Sequence, residues 1–189
     1  MGESDRGAAT REHILTTATA MFGESGYRGA SVRDIAARCG LTHPGLLYHF
    51  PTKAALLEAV LSRRDELDGA ADGPPPRGLA ALEALVSLAH RNAQSRGIVE
   101  LFATLSAEAT APTHPAHAYF VERYQRVVRE FSAHFVEMRD DGELREGVDP
   151  LDAARQWAAL MDGLQIQWLL DESTDMAGVL AAHLQAQRA

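Results

Sequence analysis

Between Gly26 and Lys53 the chain has to end a helix and begin another three times. A helical stripe of Ile14, Ala18, Met21 and Phe22 runs into Gly26, a residue suited to closing a helix. Ser31 opens the next helix, with Asp34 three residues on as a variant capping box, and Val32, Ile35 and Ala36 form its inner face. Gly40 ends it about two turns later. Thr42 caps a third short helix, Pro44 sits in the first turn where a missing N–H does no harm, and Pro51 breaks the chain again. Thr52 then starts a longer helix with Ala55, Leu56, Ala59 and Val60, expected to end near Asp68.

Two short helices joined at Gly40, with small Ala36 where they approach and Ile35, Leu41 and Leu46 to fill the space between, form the pattern of a helix-turn-helix. In that motif the second helix enters the major groove and presents its first residues to base edges. Thr42, His43, Pro44 and Gly45 occupy those positions: two hydrogen-bonding side chains and two residues permitting close approach or contact with a thymine methyl. Tyr48 and His49 suit phosphate contacts. Ser31 and Thr52 stand at helix starts, where N–H groups favour phosphate, and Arg33 and Lys53 add charge.

Charge placement agrees with this reading. The formal net charge of −8 argues against a polyanionic partner for the chain as a whole. Residues 1–53, however, carry a net +1, from six basic and five acidic side chains, and the remainder carries −9. The first segment alone approaches DNA without strong repulsion.

The rest also follows a helical period, so the expected fold class is all-α. Residues 69–78, GAADGPPPRG, read as a loop between helices. Beyond it, Leu79, Leu82, Leu85, Val86 and Ala89 mark one helix, and Ile98, Leu101, Phe102 and Leu105 another. The loop APTHPAH follows. A stripe from Phe120 to Met138 ends near Gly142, Asp149-Pro150 opens a helix running to about Asp171, and the last helix spans about Thr174 to Gln187. The 46% hydrophobic content is ample for a core, and with 23% charged residues the chain is expected to fold.

Residues about 10–56 resemble the TetR family of transcriptional regulators. The resemblance rests on F-G-E-S-G-Y, S-V-R-D-I-A-A-R-C-G and Y-H-F-P-T-K-A-A-L, about a quarter of the chain. It implies a three-helix DNA-binding domain at 1–51 and a ligand-binding and dimerisation domain at 52–189, with 52–68 as linker helix. It places DNA contacts on Ser31, Arg33, Thr42, His43, Pro44, Gly45, Leu47, Tyr48, His49 and Lys53. Leu47 departs from the Tyr usual there and offers no hydrogen bond to phosphate.

The resemblance also implies a homodimer formed through the last two long helices. Residues 151–170 have so narrow a polar face that they are expected to pack on two sides, the second a partner subunit. The expected interface comprises Leu151, Ala158, Trp168, Met176, Val179, Leu180, His183 and Leu184. A largely apolar pocket for a small-molecule effector is expected among Phe102, Leu105, Phe120, Tyr124, Trp157, Met161 and Gln165.

Other chemistry finds little support. No phosphate-binding glycine loop, nucleophile elbow or helical metal-ligand pair is present, so no enzyme activity, cofactor or metal is expected. His114 and His117 flank a proline without nearby Cys, Asp or Glu ligands, and the lone Cys39 reads as a small buried hydrophobe. The opening residues lack a signal-peptide pattern and no apolar run spans a bilayer, so a cytoplasmic location is expected. The expected function is a ligand-released repressor on a palindromic operator. The competing readings are a helical interaction or ligand-binding module without DNA, and an activator.

Overall fold

The computed structural model describes residues 3–69 and 75–189, with side chains described from Arg6 to Arg63 and from Pro75 onward. Among the described residues nine helices follow one another: α1 (Glu3–Gly29), α2 (Val32–Arg38), α3 (His43–His49), α4 (Lys53–Gly69), α5 (Gly78–Asn92), α6 (Arg96–Glu108), α7 (His117–Asp140), α8 (Pro150–Leu170) and α9 (Met176–Gln187). The class is all-α. An isolated antiparallel bridge, Leu144 with Arg188, ties the end of the chain to the turn after α7. No described helix is long and apolar enough to cross a membrane. Positions 70–74 of the expected 69–78 loop lie outside the described residues.

The helix ends have identifiable causes. Gly26 leaves helical geometry (φ 68°, ψ 175°), but the chain resumes for one more turn to Gly29, so the first break is a kink followed by a stop. The α2 end is a Schellman turn: Gly40 at φ 69° donates to Ala37 O at 3.0 Å, and Leu41 donates to Ala36 O at 2.9 Å. Cys39 is the C-cap of α2 and only half-buried, because the chain turns there; the expectation of a buried hydrophobe is corrected. Asp149 caps α8, accepting from the N–H groups of Leu151 and Asp152 at 3.0 and 2.9 Å. Asp175 caps α9 through Gly178 N–H at 2.9 Å, which starts that helix at Met176.

The chain divides into two compact units. The first holds α1–α4 together with Glu100–Ala118, that is, most of α6 and the loop after it. In it α1 packs on α4 and α2, and α2 packs on α3. Its fully buried side chains include Ile14, Phe22, Ile35, Leu46 and Leu56, with Leu101 and Leu105 from α6. The second unit takes α5, most of α7, α8 and α9, where α9 packs on α5 and α8. Trp157 is fully buried there, edge-on to Phe135 with ring centroids 6.3 Å apart, amid Leu82, Met138, Leu164 and Leu180.

Leu46 is the α3 residue with no exposed surface, and it fixes the angle of that short helix. Leu46→Ala is expected to cost about 3 kcal/mol, in the usual range for a large-to-small core change. Denaturant unfolding of the purified variant measures it.

Candidate nucleic-acid interface

A two-turn helix does not hold itself together, so α3 depends on its caps and on Leu46. The Thr42 hydroxyl accepts from Gly45 N–H at 3.1 Å, and Pro44 fills the first turn. A Cβ at position 45 would lie 3.1 Å from that hydroxyl, so Gly45 serves the cap as well as leaving room outside the helix. With Leu46 turned inward, the other positions keep some exposed surface. Thr42, Pro44 and Tyr48 are exposed, and His43, Gly45, Leu47 and His49 are half-buried. Tyr48 is 85% exposed. The His49 ring stands edge-on to it, 5.3 Å between centroids.

The flanking helices supply two further starts. Ser31 accepts from Asp34 N–H at 3.1 Å while its hydroxyl donates to the Asp34 carboxylate at 2.7 Å. That hydroxyl is therefore committed to its own helix; Arg33 and Arg38 are the exposed cations of α2, and Arg38 pairs with Glu24 at 2.8 Å. Thr52 caps α4 by accepting from Ala55 N–H at 3.0 Å. Lys53, the first residue of α4, is turned over the ring of Tyr27, its Nζ 4.5 Å from the centroid. Burial lowers its pKa from the ordinary lysine value, partly countered by the Glu108 carboxylate.

The surroundings of Lys53 were not legible beforehand. Glu108 accepts from Tyr27 N–H at 2.7 Å across 81 positions of sequence. Thr104 donates to Gly23 O at 3.1 Å, and a Cβ on Gly23 would lie 3.1 Å from α6 backbone. His114 is buried, edge-on to the Tyr27 ring at 5.2 Å, with Nε2 3.5 Å from the Glu108 carboxylate. The one early signal was the pair Gly26-Tyr27, a helix break followed by an aromatic residue, which marks a corner but names no partner.

The expected effector residues fall in both units. Phe102 and Leu105 belong to the first, and Phe120, Tyr124, Trp157, Met161 and Gln165 to the second. Leu105 and Trp157 have no exposed surface and Phe120 is 5% exposed, so all three are core. Met161 and Gln165, with Leu164, Met176 and Leu180, line a cavity of about 10 Å³, which holds no more than a water. Tyr124 donates to Asp162 at 2.7 Å, and burial holds that carboxyl above its usual pKa, with Tyr124 and Arg123 pulling it down.

Of the expected interface residues, Ala158, Trp168, Met176, Leu180 and Leu184 are buried in the chain's own core. His183 is half-buried beside Trp157, ring centroids 5.9 Å apart, and burial lowers its pKa. Leu151 and Val179 remain outside, joined there by Ile166 and Leu170, the last 84% exposed. A 3.6-residue period identifies an apolar stripe but not whether its own chain or another copy covers it.

The comparisons with known proteins bear on this geometry directly. Residues 14–60 match the family model for bacterial regulatory proteins of the tetR family, and residues 77–189 match that for the C-terminal part of BetI-type transcriptional repressors. The chain belongs to the TetR family. It is a helix-turn-helix transcriptional regulator with a TetR-type C-terminal bundle. It is 29% identical to the HTH-type transcriptional regulator UidR of Escherichia coli strain K12 over 158 residues, 81% of this chain and 76% of that one. A TetR-family regulator from Agrobacterium tumefaciens shares the fold, with a TM-score of 0.82 at 17% identity over 97% of this chain and 100% of that one. The complex of SmeT with triclosan, SmeT being a Stenotrophomonas maltophilia repressor, has a TM-score of 0.74 at 22% identity, over 96% and 92% of the two chains.

Asp162→Asn keeps an acceptor for Tyr124 and removes the charge that burial opposes. A carboxyl with a raised folded-state pKa stabilises the fold only when protonated, so its penalty is present at neutral pH and vanishes on acidification. The variant is therefore expected to exceed the wild type in stability at about pH 7, with the gap closing towards about pH 4, in denaturant titrations at a series of pH values.

Proposed function

We propose that this chain works as a homodimeric repressor that holds a palindromic operator and lets go when a small, largely apolar or aromatic molecule binds its C-terminal bundle. The observation that carries the reading is the outward face of α3. Leu46 anchors the helix, and Thr42, Pro44 and an 85% exposed Tyr48 are left for a duplex. Thr42, His43, Pro44, Gly45 and Leu47 meet bases, and Arg33, Tyr48 and His49 meet phosphates, along with the N–H groups at the starts of α2 and α4. On this reading residues 1–51 read DNA, 52–68 form the link, and the remainder binds effector and partner.

The partner is a second copy. Along α8, Leu151, Arg155, Ala159, Gly163, Ile166 and Leu170 follow one face at three- and four-residue steps. On α9, Gly178, Val179, Ala181, Ala182 and Ala186 are exposed. A largely uncharged surface of small and apolar residues suits two-fold packing of helix pairs. Two copies give two recognition helices, which is what a palindrome requires. The protein acts by binding rather than by catalysis, in the cytoplasm. Effector release works by differential affinity: the molecule must bind a non-reading arrangement better than the operator-bound one.

Selection of bound duplexes from a random pool is expected to return a palindrome, with affinity falling steeply as salt rises. Tyr48→Ala, which removes no buried contact, is expected to weaken binding to that duplex by about tenfold while leaving unfolding and dimerisation unchanged. A monomeric protein that ignores every duplex at low ionic strength would reject the reading.

A further inference from the structure

The half-buried cation at the start of α4 stands out from the rest of the reading head. Thr52 caps that helix start, and helix N-termini draw phosphate. Yet the ammonium beside it is turned onto an aromatic face. Three elements converge there. Tyr27 from the corner after α1 presents its ring 4.5 Å from Lys53 Nζ. Glu108 ends α6, accepts from Tyr27 N–H at 2.7 Å, and attracts the same ammonium. His114, in the loop after α6, closes the far side with its ring edge on Tyr27.

The Glu108 carboxylate is held tightly in place. The Gly26-Tyr27 corner lies so close to it that a Cβ on Gly26 would overlap the carboxylate oxygens. The His114 side chain is buried, and its Nδ1 accepts from Ala116 N–H at 3.2 Å. The Tyr27 N–H thus ties the carboxylate to the corner after α1, and His114 Nε2 lies 3.5 Å from it.

We propose that Tyr27 and Glu108 form an autoinhibitory clasp that withholds Lys53 from the operator, so that DNA phosphate and the Glu108 carboxylate compete for one ammonium in each protomer. The inference rests on the DNA-binding reading above. Every group in the clasp lies in the first compact unit, so the competition is internal to that unit. A displacement of α6 away from the Tyr27 corner would free Lys53 and strengthen the hold on DNA. A displacement towards it would do the reverse.

The test measures affinity for the pool-selected duplex, by fluorescence anisotropy, across a salt series. Glu108→Gln keeps the amide oxygen as an acceptor for Tyr27 N–H and removes the charge. It is expected to tighten binding by about three- to tenfold at low salt, the range for removing the attraction of one partly exposed carboxylate. The slope of log affinity against log salt should steepen by about 0.9 for each ammonium that reaches phosphate. Lys53→Met should cancel the gain, so that E108Q/K53M binds no tighter than K53M alone.

Tyr27→Leu, which removes the ring face but keeps the apolar bulk and the backbone N–H, should tighten binding in the same direction and covers the case of a misfolded E108Q. Unchanged or weaker binding by folded E108Q or Y27L overturns the clasp, as does a gain that survives K53M. Those results leave the regulator reading standing, because the wild type still binds. A wild type that binds no duplex at all removes both.

Discussion

Two glycines in the left-handed region, Gly26 and Gly40, set the geometry on which the reading head depends. Each lets the backbone turn sharply where a side-chain-bearing residue would be strained. At Gly40 the turn is closed by two hydrogen bonds back to α2, so α3 leaves at a defined angle. At Gly26 it is closed by a side chain from 82 positions further along, the Glu108 carboxylate, which takes the N–H of Tyr27. The first corner is local and the second is tertiary. That difference runs through the whole molecule.

The recognition helix shows how little regular structure a reading surface needs. Seven residues form α3, and one of them, Leu46, supplies the buried contact while Thr42 and Gly45 share the cap. Of the rest, Pro44 and Tyr48 are exposed and His43, Leu47 and His49 are half-buried. The imbalance of charge acts in the same sense: the acidic excess of the chain lies beyond residue 53 in the sequence. Position is therefore set by burial, and orientation towards DNA by which segment a polyanion tolerates.

The C-terminal bundle was legible as helices and much less so as a site. The stripes of α8 and α9 announced themselves through their period, but Trp168, Leu180 and Leu184 proved to face inward and Ile166 and Leu170 outward. Both faces are apolar, so hydrophobic periodicity cannot rank them. Among the aromatic residues, Trp157 is packed solid against Phe135, whereas Tyr124 keeps some surface and binds Asp162. Aromatic identity alone carries no such distinction.

Helix breaks, caps, the inward positions Ile35 and Leu46, and family membership are written in local residue order, because capping and turn formation involve neighbours three or four positions apart. The burial of His114 against Tyr27, the hold of Glu108 on the Tyr27 N–H and the placement of Lys53 over the Tyr27 ring depend on segments from about 25 to more than 80 positions apart. Contacts of that kind come from how helices are brought side by side in three dimensions, and a linear pattern holds no distance between α1 and α6. Folding the chain decided them.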